Sequence, residues 1–429
     1  MSNPTPSRSD VKPGALIGSA WSLFAALGLL LLGNGLLGSV LGIRAQIEGF
    51  GTVVTGFVMA FYYVGFLIGA QITPIAVTRV GHVRVFAGLA SLASATALLH
   101  VVWVNPITWG FARTVTGACL AGLYVVAESW LNTTATNESR GRLLSIYMLV
   151  VMGGIGAGQL LLGVADPAGF GLFILGSVLV SLAVLPIALS KSPSPDFDVP
   201  PRMRLTELWR KSPIGITGGL GTGVANGALF AMGPVYGIAV GMSVSRISLF
   251  MGVMILGAVA LQWPIGSWSD RVPRRRSIVA INLMAAGAAL AVTQLDPNGP
   301  WLFVAVFLLG GSTFPLYSLS LSHVNDVLES RQMIAASSVF VLVTGIGSVA
   351  GPVAASLLMS ATDADGLFWA VGGVHLAVGL YAIYRIVAHE GPTVSQQRSY
   401  VPIPARASGL IGVLTRNLRT RTGNGRDKS

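Results

Sequence analysis

Long apolar stretches alternate with short polar ones along most of the chain. The hydrocarbon core of a bilayer is about 30 Å thick, and an α-helix needs about 20 apolar residues to cross it. By that measure the pattern predicts twelve membrane-spanning helices, and therefore an all-α membrane protein. The predicted spans are residues 17–41, 52–73, 83–103, 107–128, 143–163, 169–190, 213–238, 247–266, 278–295, 300–321, 337–359 and 367–388.

The polar stretches divide the chain into parts. The longest of those between spans, 191–212, separates a first six-helix half (14–190) from a second six-helix half (213–388). Its proline, aspartate and arginine residues predict a surface linker, with a short amphipathic helix at RLTELWRK. A polar segment, 1–13, precedes the spans, and a basic tail, 389–429, follows them. We expect these three polar segments to be cytoplasmic and the tail to be disordered.

The basic residues predict the orientation of the chain in the membrane. All but three of the 27 Lys and Arg residues fall on the side of the two termini. Of the exceptions, Arg44 and Arg246 lie in loops on the other side, and Arg113 lies inside the fourth span. Because loops rich in Lys and Arg stay in the cytoplasm, we predict that both termini are cytoplasmic.

The composition excludes several classes of protein. Of the 429 residues, 53% are hydrophobic and only 10% are charged, whereas roughly a quarter of a soluble domain is charged. With a mean hydropathy of +0.72, the chain would expose large apolar patches if it were folded in water. This composition excludes a soluble enzyme and a disordered protein. The net charge of +11 forms no basic stripe interleaved with aromatic residues, so we expect no nucleic-acid partner.

The sequence offers no motif for catalysis or for a cofactor. Its single cysteine, Cys119, lies in an apolar stretch, which excludes a disulfide framework and favours a packing role. We find no metal-ligand spacing, no Ser/His/Asp set and no nucleotide-binding glycine loop. We therefore expect no metal, no cofactor and no enzymatic activity, and the sequence does not support ATP as a source of energy.

An internal repeat relates the two sets of six spans. Because six is an even number, both halves insert with the same topology, and the chain is predicted to form two pseudo-symmetric halves. In such folds the substrate site lies near the membrane midplane, between the halves. Corresponding residues recur 191 to 202 positions apart: Arg79 and Arg271, Glu128 and Asp326, Arg140 and Arg331, and Arg44 and Arg246.

Three motifs carry a resemblance to a known family. GSWSDRVPRRR at 266–276 has a glycine, an Asp-Arg pair and a basic cluster, and RTVTG at 113–117 places an arginine early in the fourth span. Both resemble motifs of the major facilitator superfamily. The first-half copy, PIAVTRVGHVR at 74–84, is degenerate, since Thr78 stands where that family usually has aspartate. RVGHVRVF, AESWLN and PLYSLSLSHVND together resemble the YcaD-like bacterial subgroup.

This resemblance implies the major facilitator fold and a secondary transporter of the bacterial inner membrane that works by alternating access. The implied partners are a small organic substrate, the lipid bilayer and, where transport is coupled, protons; we expect a monomer. The subgroup brings no known substrate. Three alternatives stay open: proton-coupled efflux, uncoupled facilitation of a neutral metabolite, and a membrane sensor that has kept the fold and lost transport.

Candidate substrate contacts lie near the middle of the spans that line the cavity in this family. Arg113 is the clearest, because an ionisable residue inside a membrane is costly and is a functional candidate by default. Each polar or aromatic residue could alternatively serve packing or a hydrogen bond between helices. No carboxylate lies at mid-membrane, which favours a neutral, amphipathic or anionic solute over a polycation. The other candidates are Asn34, Tyr62, Tyr63, Tyr124, Gln159, Asn226, Gln262, Trp263 and Tyr317.

A second group of charges is predicted to form a cytoplasmic latch. In the first half, Glu128 would pair with Arg79 or Arg84 and hold the inner side closed when the protein faces outward. The alternative is a set of solvated charges at helix ends. Thr78 weakens the first-half latch, because it removes a negative partner. The remaining latch candidates are Arg140 in the first half and Asp270, Arg271, Asp326 and Arg331 in the second.

Overall fold

The computed structural model describes residues 13–134, 140–189, 203–329, 332–389 and 393–403, with the side chains of 13–20, 133–134 and 140–141 left aside. Several predicted features lie outside this part of the chain. They are Arg331, the side chain of Arg140, nearly all of the N-terminal segment, most of the linker and the distal tail.

The described residues form helices and no β-strand, and twelve spans are long and apolar enough to cross a membrane. The predicted number of spans is therefore confirmed. The helices are α1 (Pro13–Ile47), α2 (Thr52–Val80), α3 (His82–Val102), α4 (Pro106–Thr134), α5 (Arg140–Leu160), α6 (Gly171–Leu182), α7 (Val184–Ala188), α8 (Leu205–Lys211), α9 (Pro213–Ala239), α10 (Val244–Ser269), α11 (Arg274–Gln294), α12 (Trp301–Thr313), α13 (Pro315–Asp326), α14 (Met333–Ala361) and α15 (Gly366–Ala388).

Fifteen α-helices make twelve spans because two spans are broken and one helix is short. The sixth span consists of α6 and α7, and the tenth of α12 and α13. Pro315 begins α13; without an N–H group it cannot continue the hydrogen bonding of α12, so the span breaks at Phe314. The short helix α8, expected in the linker, buries Leu208 and exposes Trp209.

The internal repeat is visible in how helices approach one another. A Cβ added to Gly65 of α2 would lie 1.8 Å from the carbonyl oxygen of Thr114 in α4. In the second half, a Cβ on Gly257 of α10 would lie 2.1 Å from the carbonyl oxygen of Phe307 in α12. Only glycine allows such close backbones, which lipid-embedded helices use for packing. The two glycines are 192 positions apart, so corresponding helix pairs use the same contact.

The two halves, α1–α7 and α9–α15, meet differently at the two ends of the bundle. We call the end with the α2–α3, α10–α11 and α13–α14 connections the basic end, because Arg79, Arg84 and 274–276 lie there. At the opposite end, Gly42 of α1 packs on α9, and a Cβ on Gly56 of α2 would lie 2.8 Å from the carbonyl oxygen of Pro352 in α14. The halves are thus in direct contact at the opposite end.

The tail differs from its predicted disorder over the residues that the structure describes. Residues 393–403 fold back onto the basic end of the second half, and Ile403 is only 3% exposed. The prediction of disorder is therefore wrong for this segment. Composition suggested disorder because the tail is polar, but its backbone finds hydrogen-bond partners on the helices, as described below.

Candidate functional site

A cavity of about 390 Å³ lies between the halves and extends from the middle of the bundle to the basic end. Helices α5, α9, α10 and α14 form most of its wall, and tail residues complete it at the basic end. Apolar side chains such as Met152, Phe230 and Phe314 dominate the surface, and Asn226 and Gln262 supply polar groups. This is the usual composition of a site for a small organic molecule.

A smaller polar pocket continues the cavity toward the opposite end. The two share Tyr63, Ile155 and Phe230 as lining residues. Predicted candidates cluster in this pocket. Asn34, Tyr62, Tyr63, Arg113 and Gln159 all line it.

Arg113 is the charged group of the polar pocket. Its side chain is buried in α4, and its guanidinium carbon lies 4.4 Å from the centroid of the Tyr62 ring in α2. Tyr62 in turn meets Tyr63 edge to face, with ring centroids 5.2 Å apart. A cation held over an aromatic face keeps its charge at lower cost than one in hydrocarbon. The pocket therefore presents a positive charge at the blind end of an apolar cavity.

Gln159 is engaged by the protein itself. Its Nε2 donates to the backbone oxygen of Gly35 at 2.9 Å, and its Oε1 accepts a hydrogen bond from Ser39. Its backbone oxygen accepts from Ser248 of α10 at 2.7 Å. These bonds join α5 to α1 and to the other half. Gln159 therefore helps to hold the halves together, in addition to lining the pocket.

Asn226 is the contrasting case. It lies in α9 at the centre of the bundle, is buried, and lines the main cavity. Among the described residues, neither its Oδ1 nor its Nδ2 has a hydrogen-bond partner. An unpaired buried amide costs stability, and such groups in native proteins call for an explanation. Asn226 is thus the clearest polar contact that the cavity offers to a ligand.

The remaining predicted contacts fall in different places. Gln262 lines the cavity, and its amide donates to Ser318 at 3.1 Å and to the hydroxyl of Tyr400 at 2.6 Å. Trp263 also borders the cavity but is 79% exposed, so most of its ring faces outward. Tyr124 and Tyr317 are buried in the core and do not line either pocket.

In the second half, the predicted latch residues form part of a buried charge cluster. Arg274, 1% exposed, donates to both carboxylate oxygens of Asp326 at 3.0 and 2.8 Å, and to Asp270 at 2.9 Å. Arg271, the predicted cation, is exposed. Sequence reasoning missed Arg274, although its place four residues after Asp270 in the basic cluster was a usable signal.

In the first half, the corresponding residues are arranged differently. Glu128 is fully buried, and the hydroxyl of Tyr147 donates to its Oε1 at 2.6 Å. Arg79 and Arg84 are exposed at the basic end. His82, which corresponds to Arg274 in the repeat, is buried and lies 2.9 Å from the hydroxyl of Ser129.

No group of three or more His, Cys, Asp or Glu side chains suited to a metal ion occurs within the described ranges.

The family model of the Major Facilitator Superfamily matches residues 23–340 and 237–421. These matches together cover nearly all of the two halves.

Several bacterial relatives are similar along most of the chain. An uncharacterized MFS-type transporter of Enterobacter sp. (strain 638) is 27% identical over 379 residues, which cover 86% of this chain and 96% of the relative. The uncharacterized MFS-type transporter YcaD of Escherichia fergusonii is 27% identical, over 87% of this chain and 97% of its own. An uncharacterized MFS-type transporter of Yersinia enterocolitica is 30% identical over 329 residues, which cover 75% of this chain and 84% of the relative.

Solved structures show the same fold. The nucleoside transporter NupG superposes with a TM-score of 0.69 at 12% identity, covering 89% of this chain and 100% of its own. A bacterial homolog of the human lysosomal transporter Spinster, in an inward-facing and occupied conformation, superposes with a TM-score of 0.71 at 14% identity. The match covers 91% of this chain and 99% of the homolog. The chain therefore belongs to the Major Facilitator Superfamily, as a multi-pass membrane transporter of the YcaD-like bacterial group.

Proposed function

We propose that the protein is a secondary transporter that moves a small amphipathic organic solute across the inner membrane by alternating access. The observation that carries this proposal is the cavity between the halves. It is closed at the opposite end by direct contact between helices and reaches the basic end. A site that two halves share, with one end closed, is what an alternating-access mechanism requires.

The lining of the cavity supports a solute with an apolar body and one neutral or anionic polar end. The body would lie against Met152, Phe230 and Phe314, and the polar end would reach Asn226 or the pocket of Arg113. Asp270 is the one acidic residue among those that line the two pockets, and it is paired with Arg274 at the basic end. A cation would therefore find no free carboxylate along the described walls.

The solute class can be tested by thermal stabilisation of the purified protein. A panel should contain matched organic anions, neutral compounds and cations of similar size. A ligand at a hundredfold excess over its Kd stabilises the folded state by about 2.7 kcal/mol. We expect anions or neutral compounds to raise the melting temperature, and Asn226→Ala and Arg113→Ala to abolish the shift. Asn298→Ala, in an exposed loop, is the matched control.

Transport itself is tested with the same compounds in liposomes. We expect solutes that stabilise the protein to cross the bilayer, and the rate with and without a pH gradient separates proton coupling from uncoupled facilitation. A solute that binds but does not cross under either condition would contradict transport and favour a sensor. Stabilisation by cations alone would contradict the proposed substrate class.

We further propose that the basic end faces the cytoplasm. The support is the concentration of Lys and Arg at that end, with Arg44 and Arg246 as the exceptions at the other. A reporter fused after residue 420 should be cytoplasmic. A periplasmic reporter would overturn the orientation.

Glu128 remains our candidate for the first-half latch. In the present conformation Arg79 and Arg84 are exposed, so a pair with Glu128 would have to form as the basic end closes. We expect Glu128→Gln to slow transport and to bias the protein toward the state that is open at the basic end. Unchanged transport together with unchanged cysteine accessibility at that end would contradict this role.

A further inference from the structure

Part of the tail occupies the mouth of the cavity. Residues 397–403, which we call the docked segment, carry backbone groups that bond to helix-end carboxylates of the second half. The backbone N–H of Arg398 donates to Asp326 Oδ1 at 2.7 Å, and that of Tyr400 donates to Asp270 Oδ1 at 2.8 Å. The two carboxylates that hold Arg274 therefore also hold the tail.

The distal part of the docked segment is bound just as closely. The hydroxyl of Ser318 in α13 accepts from the backbone N–H of Ile403 at 2.9 Å, and its distance to the carbonyl oxygen of Ile403 is 2.8 Å. The guanidinium of Arg274 donates to the carbonyl oxygen of Arg398 at 2.6 Å. Hydrogen bonds along the backbone of a peptide are how a site recognises an extended segment. We call Asp270, Arg274, Asp326, Ser318 and Gln262 the seat.

Side chains of the docked segment also fit the second half. A Cβ added to Gly266 of α10 would lie 2.3 Å from Cδ1 of the Tyr400 ring, so glycine at this position leaves room for the ring. Burial raises the pKa of the Tyr400 phenol, which stays neutral and bonded to Gln262. Ile403 belongs to the same buried cluster as Tyr317.

The docked segment lies between the halves and not merely on one of them. Tyr400, Pro402 and Ile403 line the main cavity, across from Ser145 and Met148 of α5 in the first half. To close the basic end, the start of α5 would have to approach α10 and α13. The docked segment stands in that space.

We propose that the docked segment is a resident occupant of the cavity mouth, which keeps the basic end open and must leave its seat before that end can close. Its binding to the seat is independent of the proposed transport, whereas its effect on closure rests on alternating access. It also makes Tyr400 part of the wall that a solute passes.

Docking is tested by cysteine labelling of the full chain in the membrane. In a Cys119→Ala background, Ile403→Cys should react with a maleimide at least about tenfold more slowly than Ser395→Cys, an exposed tail position outside the segment. Tenfold corresponds to about 1.4 kcal/mol of docking free energy. Adding Tyr400→Ala, or Gly266→Ala to displace the ring, should abolish the difference. Equal rates in the otherwise native chain would overturn docking.

The effect on closure is tested by distances between spin labels. Labels at Arg142→Cys on α5 and Arg276→Cys on α11, both exposed, report the width of the basic end. We expect Tyr400→Ala to add a population with shorter distances, and Ser395→Ala to leave the distribution unchanged. If Tyr400→Ala frees the tail in the labelling assay but leaves the distances unchanged, the role in closure is wrong. Neither assay needs a substrate, so failure here is distinct from failure of the proposed transport.

Discussion

The basic ends of the two halves are built from the same repeat but hold charge in different ways. In the second half, Asp270 is the first residue of the four-residue α10–α11 connection and Arg274 directly follows that connection. Arg274 pairs with Asp270 and with the buried Asp326 in one cluster. In the first half, Thr78 and His82 occupy the corresponding positions, 192 residues earlier. The permanent cation is thus replaced by an imidazole that contacts a hydroxyl. Equivalent positions therefore do not imply equivalent electrostatics.

The difference follows from the partners that each connection provides. Gly81, with a φ of 86°, is the whole α2–α3 connection, and it brings His82 directly onto α4 beside Ser129. The longer α10–α11 connection places Arg274 between two carboxylates, which compensate the cost of burying its charge. The second half therefore carries a fixed ion cluster. In the first half, the hydroxyl of Tyr147 donates a hydrogen bond to the buried carboxylate of Glu128. Tyr147 belongs to the same buried cluster as Tyr317 of the second half.

The largest expected effect comes from breaking the second-half cluster with Arg274→Met. This change would leave the buried carboxylate of Asp326 without its bidentate partner, and loss of one member of a buried pair costs about 3–5 kcal/mol. Thermal unfolding of the purified protein measures the loss. Arg271→Met is the control, since that side chain is exposed, and its effect should stay within about 0.5 kcal/mol. Equal melting temperatures for the two variants would refute a structural role for the cluster.

A smaller effect is expected from Tyr147→Phe in the first half. The substitution removes one hydrogen bond to the buried Glu128 carboxylate, and such bonds to charged groups contribute about 1.5–3 kcal/mol. Tyr384→Phe, on an exposed tyrosine of α15, controls for loss of a hydroxyl. The same unfolding measurement applies. If both tyrosine variants melt alike, the phenol does not hold Glu128, and the contrast between the halves is weaker than the geometry indicates.

The spans and the repeat could be predicted from the sequence. Long apolar stretches indicate the spans, and charged residues that recur at a nearly constant spacing indicate the repeat. The twelve spans need only length and hydropathy. Breaks within a span are different: the tenth span breaks just before Pro315, the first residue of α13, yet Pro264 lies inside α10 without ending it. The neighbouring helices decide whether a proline ends a helix, and a single sequence does not reveal them.

The site was predicted in part, for reasons of side-chain direction and backbone bonding. The polar pocket brings together five of the predicted residues, because polar groups inside a span must face protein or a cavity. Arg274 differs from Arg275 and Arg276 in the sequence only by its place four residues after Asp270, and the start of α11 makes it the buried one of the three. The docked segment was missed because most of its hydrogen bonds to the seat come from its backbone, which composition does not describe.

The smallest effect is expected when Asp and Arg, the residue types at positions 270 and 274 of the second half, are placed at the corresponding positions 78 and 82 of the first half. His82→Arg alone places a cation beside Ser129 without a carboxylate at position 78, and it should destabilise the protein. Adding Thr78→Asp supplies the residue that corresponds to Asp270, whose side chain is 36% exposed. A partly exposed pair of this kind recovers up to about 1 kcal/mol, which a double-mutant cycle of unfolding measurements resolves.

The control for this cycle is Thr78→Asp by itself. Thr78 is exposed, and its hydroxyl donates to the backbone oxygen of Ile75 in its own helix at 2.8 Å, so this variant should change stability little. A positive coupling would mean that residue identity at two positions accounts for much of the difference between the halves. Zero coupling would mean that the short connection at Gly81 keeps the two side chains apart. The length of the connection, and not the charge, would then be what distinguishes the first half from the second.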